Sequence, residues 1–211
     1  MKKLLTILLL SVCMTALLAV TAAAAEGIVW NNDDKCYEIS TYEGLCEFAR
    51  LVNEEGQTEV NAKLTDHITV DDQSWTPIGK DKDHSYKGIF DGQGYVIKGL
   101  TYNNSVSDYV GLFGYLDNNG TVQNVGLEAG SMAGGVNVGG VVGYVRYGTV
   151  TNCYNTGAVT GNGRGSCVGG VVGGVERGDI TNCYNTGSIT GNGENTFVGG
   201  TVGRLFARDG A

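Results

Sequence analysis

Val138-Gly139-Gly140-Val141-Val142-Gly143 returns 30 residues later as Val168-Gly169-Gly170-Val171-Val172-Gly173, and after another 30 as Val198-Gly199-Gly200-Thr201-Val202-Gly203. Working outward from this block, Thr151-Asn152-Cys153-Tyr154-Asn155-Thr156-Gly157 recurs as Thr181 to Gly187 at the same spacing. Ala158-Val159-Thr160-Gly161-Asn162-Gly163 likewise recurs as Ser188 to Gly193. Upstream lie worn copies: Val110-Gly111-Leu112-Phe113-Gly114-Tyr115 with Thr121-Val122-Gln123-Asn124-Val125, and before them Tyr86-Lys87-Gly88-Ile89-Phe90. A fixed period of this length marks a repeat architecture in which each unit buries its apolar face only against its neighbours.

Each repeat holds three short extended candidates, 138–145, 149–153 and 157–160, separated by Gly, Asn or charged residues, and no stretch of helical i, i+3, i+4 periodicity. Propeller blades run to roughly 40 residues or more and are built from antiparallel hairpins. The expected fold is therefore all-β: a right-handed parallel β-helix, or solenoid, with ~30-residue coils that rise by the ~4.8 Å strand spacing. Period two points Val122, Val150 and Ile180 inward, and Met132, Val159 and Ile189 with them. The Val-Gly-Gly-Val-Val-Gly strand is apolar on both parities, and Thr201 suggests that the 141/171/201 column faces out. Asn124, Asn152 and Asn182 recur where the chain should bend, and stacked asparagines there would bond one another and the backbone.

The 35 glycines have no three-residue period and lie among valines, which excludes collagen and a disordered linker. Before the repeats, Ser40-Thr41-Tyr42-Glu43 has the form of a capping box with Ser40 as the cap. Leu45, Phe48, Ala49 and Val52 follow on one face, so 41–54 is expected to be an amphipathic helix ended by Gly56. A solenoid end exposes apolar side chains and unpaired strands. Residues 26–85 are read as an N-terminal cap, with a strand, this helix and the first irregular coils, and 86–211 as solenoid repeats with an incomplete C-terminal coil.

The first residues have a leader's order: Lys2 and Lys3, an apolar run from Leu4 to Val20, then Ala22-Ala23-Ala24-Ala25 before Glu26. This is the secretory signal peptide pattern, 1–25, with cleavage between Ala25 and Glu26. No second apolar stretch reaches the ~18 residues a spanning helix needs, so no transmembrane segment is expected in the mature chain. Residues 26–108 hold 16 acidic and 7 basic side chains, whereas 109–211 hold 6 and 5. An acidic front half argues against nucleic acid as a partner, because phosphates attract Lys and Arg.

The segments Gly111-Leu112-Phe113-Gly114 and the later Gly-Val-Val-Gly copies, each followed by an Asn-Cys-Tyr-Asn-Thr-Gly-type stretch, resemble the GLUG motif. Gly88 to Leu100 is similar to the segment that precedes such repeats. The resemblance covers 86–206 and, more loosely, 36–85. It implies a bacterial secreted or cell-surface protein: adhesin-like, or a non-catalytic region of an immunoglobulin-cleaving metallopeptidase.

Chemistry is sparse in the sequence. His67 and His84 are the two histidines, and neither lies in a His-Glu-x-x-His helix, the zinc-peptidase signature. Carbohydrate cleavage on a β-helix needs carboxylates clustered on one face. Asp117, Glu128, Glu176, Asp179, Glu194 and Asp209 read as scattered; Asp71-Asp72 and Asp81-x-Asp83 are the closest approach to a calcium set. No catalytic, cofactor or metal residue is assigned. Tyr102, Tyr109, Tyr115, Tyr144, Tyr147, Tyr154 and Tyr184 are numerous enough to form a glycan- or protein-binding ladder as well as to pack. Of the mature chain's cysteines, 36, 46, 153, 167 and 183, Cys36 and Cys46 are favoured as a bridge, and Cys153 and Cys183 as buried free thiols stacked one coil apart.

The function these features imply is a non-catalytic, exported structural or adhesive module, secreted or at the cell surface, whose partner is an extracellular glycan or protein. A carbohydrate-active β-helix enzyme and the N-terminal region of a larger surface peptidase are the alternatives. After Gly203 the chain reads Arg204 to Ala211 without another Asn-Cys-Tyr-Asn strand, so self-association through an open last coil is also expected.

Overall fold

The computed structural model describes residues 26–71 and 74–206, so the leader expectation, Ala25 included, lies outside the described residues and only Glu26 of the cleavage pair within them. The chain is all-β apart from one helix and winds as a parallel solenoid of about five coils. Five faces run along it. The first stacks Asn61–Leu64, Ile89–Asp91, Thr121–Gln123, Thr149–Thr151 and Asp179–Thr181 in parallel. An antiparallel hairpin, Ile28–Asn31 with Cys36–Ile39, extends this sheet at its N-terminal edge. The second face stacks Ile68–Thr69, Val96–Lys98, Gly126–Glu128, Tyr154–Asn155 and Tyr184–Asn185; the third, Thr101–Asn103, Ser131–Gly134, Ala158–Gly161 and Ile189–Gly191. Asn137–Gly139, Cys167–Gly169 and Phe197–Gly199 form the fourth, and Phe113–Asp117, Val142–Arg146, Val172–Glu176 and Val202–Phe206 the fifth.

A complete coil thus has five short strands where the sequence suggested three. What reads as one run from 138 to 145 is two strands, joined by a bend at Gly140 and Val141. That bend resets the alternation, and it corrects the facing of the 141/171 column: Val141 and Val171 are fully buried rather than outward. Glycine is required here by close approach. A Cβ on Gly139 would overlap the Val142 carbonyl oxygen and come within 2.7 Å of the Val171 oxygen and 2.8 Å of the Gly173 nitrogen. These are backbone atoms of its own and the next coil, so the fourth and fifth faces touch main chain to main chain.

The expected inward columns are in register. Val122, Val150 and Ile180 pair across coils, as do Met132, Val159 and Ile189. All are buried except Ile180 and Ile189 of the last coil, which are half-buried. The turn asparagines stack as expected. Asn124, Asn152 and Asn182 adopt φ of 54°, 53° and 52°, a left-handed conformation that asparagine tolerates better than most side chains. Asn152 Nδ2 donates to Asn124 Oδ1 at 2.9 Å, and Asn182 Nδ2 to Asn152 Oδ1 at 3.2 Å. The ladder ends on a carboxylate, with Asn124 Nδ2 donating to Asp91 Oδ1 at 2.9 Å. Burial pushes the Asp91 carboxyl up, but the bonds from Asn124, Gln93 and Gln123 outweigh it and hold it below its ordinary value. A second ladder runs inside: buried Asn155 donates to Asn185 Oδ1 and to the Gly157 carbonyl, each at 2.9 Å, and its own Oδ1 accepts the Gly157 amide.

The helix, α1, spans Tyr42–Asn53. Its cap is Thr41, whose hydroxyl accepts the Gly44 amide at 3.1 Å, and not Ser40. Ser40 instead ties the helix entry to the hairpin, its amide donating to the Gly27 carbonyl at 2.9 Å, and Glu43 stays in solvent. Leu45, Phe48 and Val52 are fully buried, as the periodicity requires. Phe48 lies 5.9 Å from the Tyr86 ring and 6.3 Å from the Phe90 ring, which belong to the first two coils. Tyr42 Oη donates to the Ser74 carbonyl at 2.7 Å and Asn53 Nδ2 to the Pro77 carbonyl at 2.9 Å. The helix therefore closes the N-terminal end of the apolar interior.

The five cysteines among the described residues are free, which corrects the Cys36–Cys46 bridge. Cys36 heads a hairpin strand opposite Asn61, whereas Cys46 sits on the helix flank and lines a cleft with Trp75. Burial raises both thiols. Cys153 and Cys183 are free thiols one coil apart, and each donates to a main-chain carbonyl two residues back, Cys153 Sγ to Thr151 and Cys183 Sγ to Thr181, both at 3.2 Å.

Candidate functional site

Several ionisable groups are held in pairs and ladders. His67 Nδ1 accepts the Val96 amide at 3.0 Å, and its ring meets Tyr95 edge-on at 5.2 Å. His84 Nδ1 bonds Asp81 Oδ1 at 2.7 Å. Asp117 and Glu176, expected to be scattered, stand in one column of the fifth face with Arg146 between them. Arg146 lies 3.8 Å from each, so the column alternates in charge along the solenoid. Glu128 accepts the Tyr154 hydroxyl at 2.8 Å, and Glu194 pairs at 3.8 Å with Arg164 in solvent. Among the described residues no three His, Cys, Asp or Glu side chains converge as a metal site. Asp71 lines a shallow cleft with Glu43 and His67, while Asp72 and Asp209 lie outside the described residues.

The tyrosines separate into three groups. Tyr154 and Tyr184 stack face to face on the second face, 5.1 Å apart with ring planes 5° from parallel. Tyr147 lies under Arg146 and Arg177, at 5.3 and 5.4 Å from its centroid. The third group occupies the outer corner between the fourth and fifth faces. There Tyr109 meets Tyr115 at 5.1 Å and Tyr144 at 6.0 Å, both edge-on, and Phe206 follows 5.7 Å from Tyr144. Register explains this group: Tyr115 and Tyr144 pair across coils, and Gly174 in the next coil leaves room for the Tyr144 and Phe206 rings. The repeat spacing could have shown this pairing of columns. What hid it was the bend at Gly140, which folds the fourth face against the fifth.

This aromatic corner opens at one end into a cleft of about 410 Å³, lined by Thr76, Pro77, Lys80, Asp81, Tyr102, Ser107, Asp108 and Tyr109. The cleft exists because the first coil crosses this side as a loop with isolated bridges at Ser74 and Ile78, not as full strands. A second cleft, about 210 Å³, lies beside α1 at Cys46, Arg50 and Trp75.

Residues 134–160 and 164–190 match the GLUG motif family. Halomucin of Haloquadratum walsbyi is 40% identical over 109 residues, 50% of this chain and 1% of that protein. A protein of Evansella cellulosilytica described as a Gly-rich membrane protein is 38% identical over 64 residues, 30% of this chain and 7% of its own length. The chain therefore spans a small fraction of both relatives. Among solved structures, a Bacteroides ovatus protein assigned as an immunoglobulin A1 protease superposes with a TM-score of 0.60 at 24% identity, over 82% of this chain and 63% of that one. At that identity the likeness is one of fold. Among the described residues no helix is long and apolar enough to cross a membrane.

Proposed function

We propose that this chain, a GLUG-motif repeat protein, is a non-catalytic structural and adhesive module of a secreted or cell-surface protein, exported by its N-terminal leader. The observation that carries the reading is the outer surface: the Asn124–Asn152–Asn182 ladder runs through three coils, Thr151 with Thr181 and Tyr154 with Tyr184 stack across two, and Asp117, Arg146 and Glu176 alternate in charge along one column. A stack of in-register coils is rigid along its axis and presents the same side chains at each step, which suits multivalent contact. The names of the two relatives, a halomucin and a membrane protein, support a place at the cell surface.

Export is tested by intact mass on the protein recovered outside the producing cell. A product starting at or near Glu26 is expected. Released protein that keeps Met1 would contradict the leader assignment.

A further inference from the structure

The cleft between the first two coils is the place where the solenoid's regular surface is interrupted, and its lining is chemically mixed. Two rings, Tyr102 and Tyr109, stand beside two carboxylates, Asp81 and Asp108, with the Lys80 ammonium and the Thr76 hydroxyl. Both carboxylates are held by one oxygen. Asp81 Oδ1 accepts the amides of Asp83 and His84, each at 2.9 Å, and the His84 ring; Asp108 Oδ1 accepts the Val136 amide at 3.1 Å. In each case Oδ2 has no hydrogen-bond partner among the described residues, so an oriented acceptor is left over. Tyr102 is fixed by its hydroxyl bond to Ser107 Oγ at 2.8 Å. Tyr109 has φ 58°, a left-handed backbone that a bulky residue rarely adopts, and that backbone places its ring at the junction of cleft and aromatic corner. Its phenol makes no hydrogen bond among the described residues.

Flat apolar ring faces next to oriented acceptors and a donor are the complement of a pyranose, which has an apolar C–H face and a rim of hydroxyls. Two carboxylates against one ammonium disfavour an anionic sugar. We propose that this cleft binds a short segment of a neutral glycan, with Tyr109 stacking on a sugar ring and Asp81 and Asp108 accepting its hydroxyls. The volume falls in the roughly 300–1,000 Å³ range of small-molecule sites. The proposal rests on the adhesive reading above and names its ligand class. A protein partner is the competing outcome.

The test is calorimetric titration of the 26–211 protein with neutral hexaoses (gluco-, xylo- and manno-configured), with oligogalacturonate as the anionic comparison. At least one neutral probe should bind with a roughly millimolar Kd and the anionic one at least about tenfold more weakly. Tyr109→Asn removes the ring while keeping a residue that accepts the left-handed backbone, and should weaken binding about tenfold while the protein stays folded, its melting temperature lowered only by the loss of two edge-on ring contacts. Asp108→Asn should weaken it severalfold. Absence of binding to every neutral probe, or binding indifferent to both variants, overturns the site. Beads coated with a neutral polysaccharide and beads coated with deglycosylated surface protein separate the two readings. Retention there without glycan binding refutes the glycan and leaves the adhesive module standing; retention on neither bead type counts against both.

Discussion

Phe48→Asp should lower the melting temperature steeply at neutral pH. The ring is fully buried and lies among Tyr37, Tyr86 and Phe90, so the substitution sets a carboxylate against apolar columns with no partner. Leaving an unpaired charge in such a site costs about 3–5 kcal/mol, a large share of a domain's net stability. The change also removes the contact by which α1 closes the solenoid, so the first coils should lose protection from hydrogen exchange before the central ones. Circular dichroism melts of the variant and of Phe48→Leu distinguish charge from volume: the leucine variant should fold with a lowered melting temperature. An aspartate variant that melts like the parent would mean that the helix does not cover the coil.

The second large effect comes from a residue with no side chain. Gly139→Val places a branched side chain where the Val142 and Val171 carbonyls and the Gly173 amide already stand. None of these can move without breaking the ladder between coils, and the cost should exceed about 3 kcal/mol. Gly200→Ala is the internal comparison, because nothing lies within 4 Å of a Cβ built there and its φ is unexceptional. That variant should stay within about 0.5 kcal/mol of the parent. Equal melting temperatures for the two variants would show that the fourth and fifth faces are not in backbone contact.

The coil period, the inward columns and the asparagine ladder could be read from the sequence because equivalent residues sit 30 apart and stack directly. Periodicity transmits less where the chain turns. Val141 and Val171 face inward against the sequence expectation because a bend between two strands inverts the alternation of side chains. The cap was displaced by one residue because Ser40 is engaged by Gly27, a partner 13 positions away that no local motif reveals. The Asp117–Arg146–Glu176 column combines the two kinds of position. Its members share a repeat phase, yet they fall at strand ends where the sequence reads as turn. The cleft at Tyr109 was least legible of all. It arises from the irregular first coil, whose missing strands leave no repeat signal, and from the approach of two loops more than 20 residues apart.

The coils pair in parallel with a shift of 27 to 32 residues, as in Met132 with Val159, Val150 with Ile180 and Phe90 with Val122. Nuclear Overhauser contacts between backbone protons test this without any substitution. The parallel register predicts amide-to-Hα contacts linking each strand between 121 and 206 to the strand one coil away, among them the Tyr184 amide that donates to the Cys153 carbonyl. Strong Hα–Hα contacts between strands adjacent in sequence, the mark of antiparallel hairpins, would contradict the solenoid and every site derived from it.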